Sequence, residues 1–357
     1  GGEKQRIVLA RQIAKDPLIF LADEPTGTLD PNTAEIVHRS LVKYVRDHNI
    51  CMVFASHWPE AVDTMADDAI WLDSGDVIMK GEPRAVTEKF MEDYKFEKKD
   101  GKELLGEPLI VLDDAEKHFF SVVRGVVKAV DGVTFDIRER EIFALVGLSG
   151  AGKTTTSRMI AGMTPSTSGS VKIRIGDDMV DMSESGFMGK GRATPYIGFL
   201  HQEYSLYPFD NVLRNLTTCI GMNMPAEIAK VKAIQVLLSV GFKKEEMERL
   251  LYSYPDTLSV GECQRIAFAQ VLIKEPRIII LDEPTGTMDP ITKVVVANSV
   301  LRAREELGET FVVVSHDMDF VVNCCDRAAF MKDGKLVMLG KPEEVIKVFD
   351  GAEDGSK

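Results

Sequence analysis

A chain of 357 residues exceeds one average domain and leaves room for two. Hydrophobic residues at 45% and charged residues at 28% are ordinary globular usage and exclude a disordered or fibrous chain. The formal charge of -13 repels the phosphate backbone, so nucleic acid is not an expected partner, and the longest apolar runs are strand-sized, far short of a membrane span. The chain opens on Gly-Gly-Glu-Lys-Gln-Arg without an apolar leader, which predicts a cytoplasmic location. Five cysteines, odd in number and without C-x-x-C spacing, argue against a disulfide framework or a zinc site.

In chain order, the first landmark is Asp23-Glu-Pro-Thr-Gly-Thr-Leu-Asp-Pro31. It returns as Asp282-Glu-Pro-Thr-Gly-Thr-Met-Asp-Pro290, an offset of 259 residues from 23 to 282. The same offset carries Gly2-Glu3 onto Gly261-Glu262, Gln5-Arg6-Ile7 onto Gln264-Arg265-Ile266, and Ser56-His57 onto Ser315-His316. Whatever precedes Val260 in the second copy has no counterpart in the first, so residues 1–94 are expected to be the C-terminal part of a first domain. The charged stretch from Lys95 reads as a linker over 95–108, and residues 109–357 as a second, complete domain.

Within that second domain, Ile142 to Val146 is a short apolar run before a glycine-rich turn, which predicts a buried strand feeding a helix. The turn, Gly147-Leu-Ser-Gly-Ala-Gly-Lys-Thr154, matches G-x-x-x-x-G-K-[ST]. Gly147, Gly150 and Gly152 would let backbone N–H groups of Ser149, Ala151 and their neighbours close on phosphates. Lys153 would reach the β- and γ-phosphates of ATP, Thr154 would hold Mg²⁺, and Thr155 would continue the helix N-terminus around the phosphates. Met188-Gly-Lys-Gly-Arg-Ala-Thr194 reads as a surface loop. Ile278 to Leu281 and Phe311 to Val314 read as two more buried strands. The first ends in Asp282, suited to the Mg²⁺ shell, and Glu283, suited to activating water; the second leads to His316. Strands alternating with helices predict an α/β fold with a mainly parallel sheet whose functional groups gather at the strand C-termini.

Leu258-Ser-Val-Gly-Glu262, just upstream of the carboxylate strand, resembles the signature sequence of ABC ATPases. The resemblance implies P-loop NTPase domains in which a mainly parallel sheet is joined by a smaller antiparallel β subdomain and a helical subdomain. It implies that Gln202 reaches the metal and the attacking water, that Gly286-Thr-Met-Asp289 is the D-loop, and that His316 senses the γ-phosphate. Phe119 would stack on adenine. Gly1 and Gly2 look like the end of a first signature sequence, which in ABC proteins would face the P-loop of the other unit across ATP. Val260 stands where the signature usually has glycine, and a β-branched residue there could hinder approach to the γ-phosphate.

Finer segments, among them Gly191-Arg-Ala-Thr-Pro-Tyr-Ile-Gly198 and His201-Gln-Glu-Tyr-Ser-Leu-Tyr-Pro208, resemble the twin-cassette soluble ATPases of methanogenic archaea typified by the A-two component of the methyl-coenzyme M reductase activation system, with an N-terminal part missing. That resemblance implies ATP-dependent reductive activation of methyl-coenzyme M reductase, with the reductase and other activation-complex proteins as partners. A nucleotide-binding subunit of an ABC transporter shares every one of these motifs and remains the alternative. A scaffold that binds ATP without turning it over fits less well with intact Glu283 and His316.

Overall fold

The computed structural model describes residues 2–354 except 16, 27, 28, 30, 74, 93, 98–105, 122–124, 202–205, 221–223, 286, 287 and 289, with the backbone alone for 2–6, 31, 32, 121 and 350–354. The chain divides into two compact units, Gly1–Lys95 with Asp289–Thr292, and Phe96–Met288 with Lys293–Lys357.

The first unit runs α1 (Gly2–Ile13), β1 (Ile19–Asp23), α2 (Pro31–Asp47), β2 (Cys51–Ala55), α3 (Pro59–Met65), β3 (Ala69–Asp73), β4 (Asp76–Gly81) and α4 (Pro83–Phe90). β1 and β2 pair in parallel, and β3 and β4 form an antiparallel hairpin. Phe20, Val37, Leu41, Ala61 and Met65 make a small core on one side of β1.

The second unit opens with β5 (Pro108–Ser121), β6 (Gly125–Arg138), β7 (Ile142–Val146), α5 (Lys153–Ile160), β8 (Ser168–Ile175), β9 (Asp178–Asp181) and β10 (Ile197–Leu200). Helices α6 (Val212–Ile220), α7 (Ala226–Ser239), α8 (Met247–Tyr252) and α9 (Val260–Leu272) follow. It closes with β11 (Ile278–Asp282), α10 (Pro290–Leu307), β12 (Thr310–Val314), α11 (Met318–Cys324), β13 (Arg327–Lys332), β14 (Lys335–Gly340) and α12 (Pro342–Asp354).

Six strands in the order β10-β11-β12-β7-β13-β14 form a sheet that is parallel except for β14. A separate antiparallel sheet has the order β6-β5-β8-β9. This is the expected α/β class, with the antiparallel and helical parts in place. Every residue of β7, β11 and β12 is buried, which is why these strands read as unbroken apolar runs rather than alternating ones. Alternate residues still point to opposite faces. Ile279, Leu281, Phe311 and Val313 pack with helices α6 to α9 on one side, while Ile278, Ile280, Val312 and Val314 pack with residues of the antiparallel sheet on the other.

Register sets the functional edge. Asp282 lies opposite Val314, Val314 opposite Leu145, and Leu145 opposite Ala329, so β11, β12 and β7 end side by side. Residues just past those ends, at 147–154, 283 and 316, share one rim of the sheet.

Two local expectations change. The stretch after Met188 holds two short 3₁₀ turns, Lys190–Arg192 and Thr194–Tyr196, with Lys190 Nζ donating to the Gly162 carbonyl at 2.7 Å. Phe96 and Glu97 begin a segment that read as linker from its charge. Phe96 packs against the second unit's core, and Glu97 pairs with Arg302 and donates its N–H to Asn298 Oδ1 at 2.8 Å.

Candidate nucleotide-binding site

Between β7 and α5 the chain must double back tightly, and two glycines make that possible. Gly147 has φ 150°, and a Cβ there would lie 2.3 Å from the Met331 carbonyl oxygen; Gly152 has φ 100°, and a Cβ would lie 2.3 Å from the Ala129 carbonyl oxygen. Any side chain at either position would drive the loop off β13 or β6. Ser149 and Gly150 are exposed at the tip, Ala151 is buried with its N–H donating to Leu148 O at 3.1 Å, and Thr155 is half-buried in the first turn of α5. Lys153 is buried and donates Nζ to Gly147 O at 2.7 Å and Leu148 O at 3.1 Å. Burial holds its ammonium below the ordinary pKa, while Glu283 and Asp282 act the other way.

Across the rim, Thr154 Oγ1 donates to Asp282 Oδ1 at 3.2 Å. Burial pushes the Asp282 carboxyl upward, the Thr154 hydrogen bond opposes it, and neighbouring Glu283 adds to the rise. Glu283 leaves β11 with φ 53° and accepts from His316, whose Nδ1 lies 2.7 Å and whose N–H lies 3.3 Å from Oε2. An ionised carboxylate at that distance requires a proton on Nδ1. The Glu283 bond lifts the His316 pKa above its ordinary value despite partial burial.

The hydroxyl of Thr154 and the carboxylate of Asp282 are hard oxygen donors of the kind Mg²⁺ takes. Among the described residues no cluster of three or more His, Cys, Asp or Glu could hold a metal. Gln202, read as a further ligand, lies outside the described residues, as do Gly286, Thr287 and Asp289 of the D-loop.

Phe119 lies in β5, 45% exposed, with Lys117 Nζ 5.4 Å from its ring centroid. It pairs with Val127 of β6, two residues from Ala129, whose carbonyl abuts Gly152. Leu258 to Glu262 opens α9 with a capping box. Ser259 Oγ accepts from Glu262 N at 3.2 Å, and Glu262 Oε2 accepts from Ser259 N at 2.8 Å. Val260 occupies the first helical position with its side chain 64% exposed.

In the first unit, Glu24 leaves β1 with φ 44° and accepts from His57 N at 3.0 Å, with His57 Nδ1 2.7 Å away. Gly2 begins α1, whereas Gly1 and Asp30 lie outside the described residues. Behind Glu283 stand residues that the sequence reading did not single out: Gln264, Thr285, Lys293 and Asp317. The repeats of Gln5 at Gln264 and of Thr26 at Thr285 were the signals available.

Residues 130–286 match the ABC transporter family model. The chain is 56% identical over 354 residues to the uncharacterized ABC transporter ATP-binding protein MJ1242 of Methanocaldococcus jannaschii, which covers 99% of this chain and 66% of that relative. It is 32% identical over 246 residues to the methionine import ATP-binding protein MetN 1 of Staphylococcus epidermidis, covering 69% of this chain and 68% of the relative. Among solved structures, the dimeric post-hydrolysis state of the ATP-binding cassette MJ0796 bound to ADP and Pi superposes with TM-score 0.58 at 26% identity, covering 66% of this chain and 99% of that one. No helix among the described residues is long and apolar enough to cross a membrane. On these matches the chain belongs to the ABC family of ATP-binding, ATP-hydrolysing cassettes.

Proposed function

We propose that residues 147–154 bind the phosphates of MgATP and that Glu283 activates water for attack on the γ-phosphate, with His316 holding that carboxylate in place. The observation that carries this reading is the shared rim: Lys153, Thr154, Asp282, Glu283 and His316 come from three adjacent strand ends, where Thr154 bonds Asp282 at 3.2 Å, His316 Nδ1 lies 2.7 Å from Glu283, and Lys153 is held by the carbonyls of Gly147 and Leu148. Thr154 and Asp282 would hold Mg²⁺, with Gln202 as a further ligand, and Phe119 would support adenine. A bound cation would neutralise phosphate charge. Lys153 adds a buried positive point charge, and α5 presents backbone N–H groups at its start. ATP-driven closure and reopening would then move a bound partner.

The transporter names of the relatives favour a membrane permease as that partner. Activation of methyl-coenzyme M reductase is the second reading, carried by the segments near Gly191–Gly198 and His201–Pro208. Tagged protein recovered anaerobically from a methanogen separates the two. A co-purifying integral membrane permease supports the first, and reductase subunits support the second. The chemistry itself is tested by phosphate release from MgATP by the full chain and by Lys153→Ala. Turnover in the parent that survives unchanged in the variant would refute the phosphate-loop assignment.

A further inference from the structure

Glu283 sits in a left-handed backbone conformation that non-glycine residues adopt only when their surroundings hold them there. Three ties hold this turn. Glu283 N donates to Val314 O at 2.8 Å, and Gln264, buried in α9, donates Nε2 to Pro284 O at 3.2 Å. Thr285, also buried, donates Oγ1 to Asp317 Oδ2 at 3.1 Å. Asp317 in turn takes Lys293 Nζ at 2.8 Å, accepts from Phe320 N at 3.2 Å, and donates its own N–H to Ser315 Oγ at 3.0 Å. Asp317 directly follows His316, so the tie from Thr285 runs parallel to the bond between Glu283 and His316.

We propose that Asp317, gripped by Thr285 and Lys293, is a positioning residue for hydrolysis that fixes the His316 ring against Glu283. The proposal rests on reading Glu283 and His316 as the hydrolytic pair. Burial acts to raise the Asp317 pKa, but Lys293 and the hydrogen bonds outweigh it and hold the carboxylate below its ordinary value. The brace is therefore ionic at neutral pH, and its members sit behind the rim rather than on it.

The first unit shows that the turn can be built without this brace. Trp58 and Ala34 stand at the equivalents of Asp317 and Lys293, and Thr26 Oγ1 lies instead 2.7 Å from Nε2 of buried His38. The glutamate still meets its histidine at 2.7 Å there. A partly buried ion pair carries a desolvation cost, so its retention behind Glu283, where the first unit builds the same turn without it, points to a demand beyond folding, namely holding the pair steady during turnover.

The test uses the full chain with Thr285→Val, Asp317→Asn and Lys293→Met, with Thr285→Ser as the conservative rescue. Each disruptive variant is expected to lower kcat about tenfold and to leave KM for ATP within about twofold, since the phosphate loop is untouched. Thr285→Ser should recover most of the loss. A readout independent of turnover is the Nδ1–H proton of His316 in ¹⁵N-edited NMR, sharp in the parent and exchange-broadened in the disruptive variants. Unchanged kcat with a sharp Nδ1–H signal, or a raised KM at unchanged kcat, would overturn the proposal. If the parent hydrolyses no ATP while the variants still broaden the signal, the functional reading falls and the positioning role stands. Should Asp317→Asn fail to fold, Thr285→Val, which removes no charge, decides the matter.

Discussion

The two units present the same nine-residue motif in different surroundings, and what survives the change tells which interactions are local. In both, a strand ends in Asp-Glu, the glutamate turns left-handed, and a histidine at the end of the neighbouring strand approaches it to 2.7 Å. Around that shared core, little else matches. β11 is buried along its whole length, whereas Ile19 and Leu21 of β1 are exposed, Leu21 by 75%. The carboxylate and histidine pair therefore follows from two parallel strands in register and a short turn. The phosphate loop and the ionic brace, by contrast, are features of the second unit among the described residues.

The largest expected break in the parallel comes from paired substitutions. Glu283→Gln should lower ATP turnover by about 10²- to 10⁴-fold, the usual reach of a positioned general base, while Glu24→Gln should leave it within about twofold. Phosphate release under saturating MgATP measures both, and equal losses would mean that the two units contribute alike.

Next in size, Lys153→Ala removes a buried charge with no counterpart among the described residues of the first unit. Loss of a charge-assisted contact to phosphate should weaken ATP binding by about 10- to 100-fold, as read by equilibrium dialysis. Unaltered affinity would leave binding to the backbone amides alone.

A smaller effect separates the units in stability. Glu309, only 4% exposed and with Oε2 unpartnered, has its carboxyl pushed up from 4.5 to about 8, first by burial and then by Glu275. The equivalent residue in the first unit is Ile50, which packs on that unit's apolar core. At pH 4 the group is protonated whether the chain is folded or not. Between 4.5 and about 8 the unfolded chain releases the proton more readily, so stability falls as pH rises and levels off above about 8. Glu309→Gln should thus be close to neutral at pH 5 and stabilising by on the order of 2–4 kcal/mol at pH 9, measured by urea unfolding at both values. Equal stabilisation at the two pH values would show that the carboxyl does not titrate in this way.

What the sequence could reveal follows the same division. The glycine-rich turn at 147–154 and the strand ending in Asp282 are contiguous patterns set by neighbours a few residues away, so glycine spacing and apolar runs disclosed their backbone course. Strand register then did the rest, since parallel strands ending together bring Lys153, Asp282 and His316 to one rim. The brace was hidden because Thr285, Lys293 and Asp317 come from a turn, a helix start and a loop, with no local periodicity to join them. Glu309 was hidden for the opposite reason: an acidic residue between a helix and a strand reads as solvated surface, yet the entry of β12 into the sheet buries it. Phe96 and Glu97 were masked by the charge of the segment they begin, although they hold to the second unit.

Binding of ATP at the second unit's rim and its hydrolysis through Glu283 are the proposed chemistry. Its most direct measurement is the identity of the nucleotide retained after the full chain is incubated with radiolabelled MgATP and freed of excess by rapid gel filtration, for parent and Glu283→Gln side by side. ADP or no nucleotide is expected with the parent and intact ATP with the variant. Retained ADP in equal amounts from both proteins would contradict it.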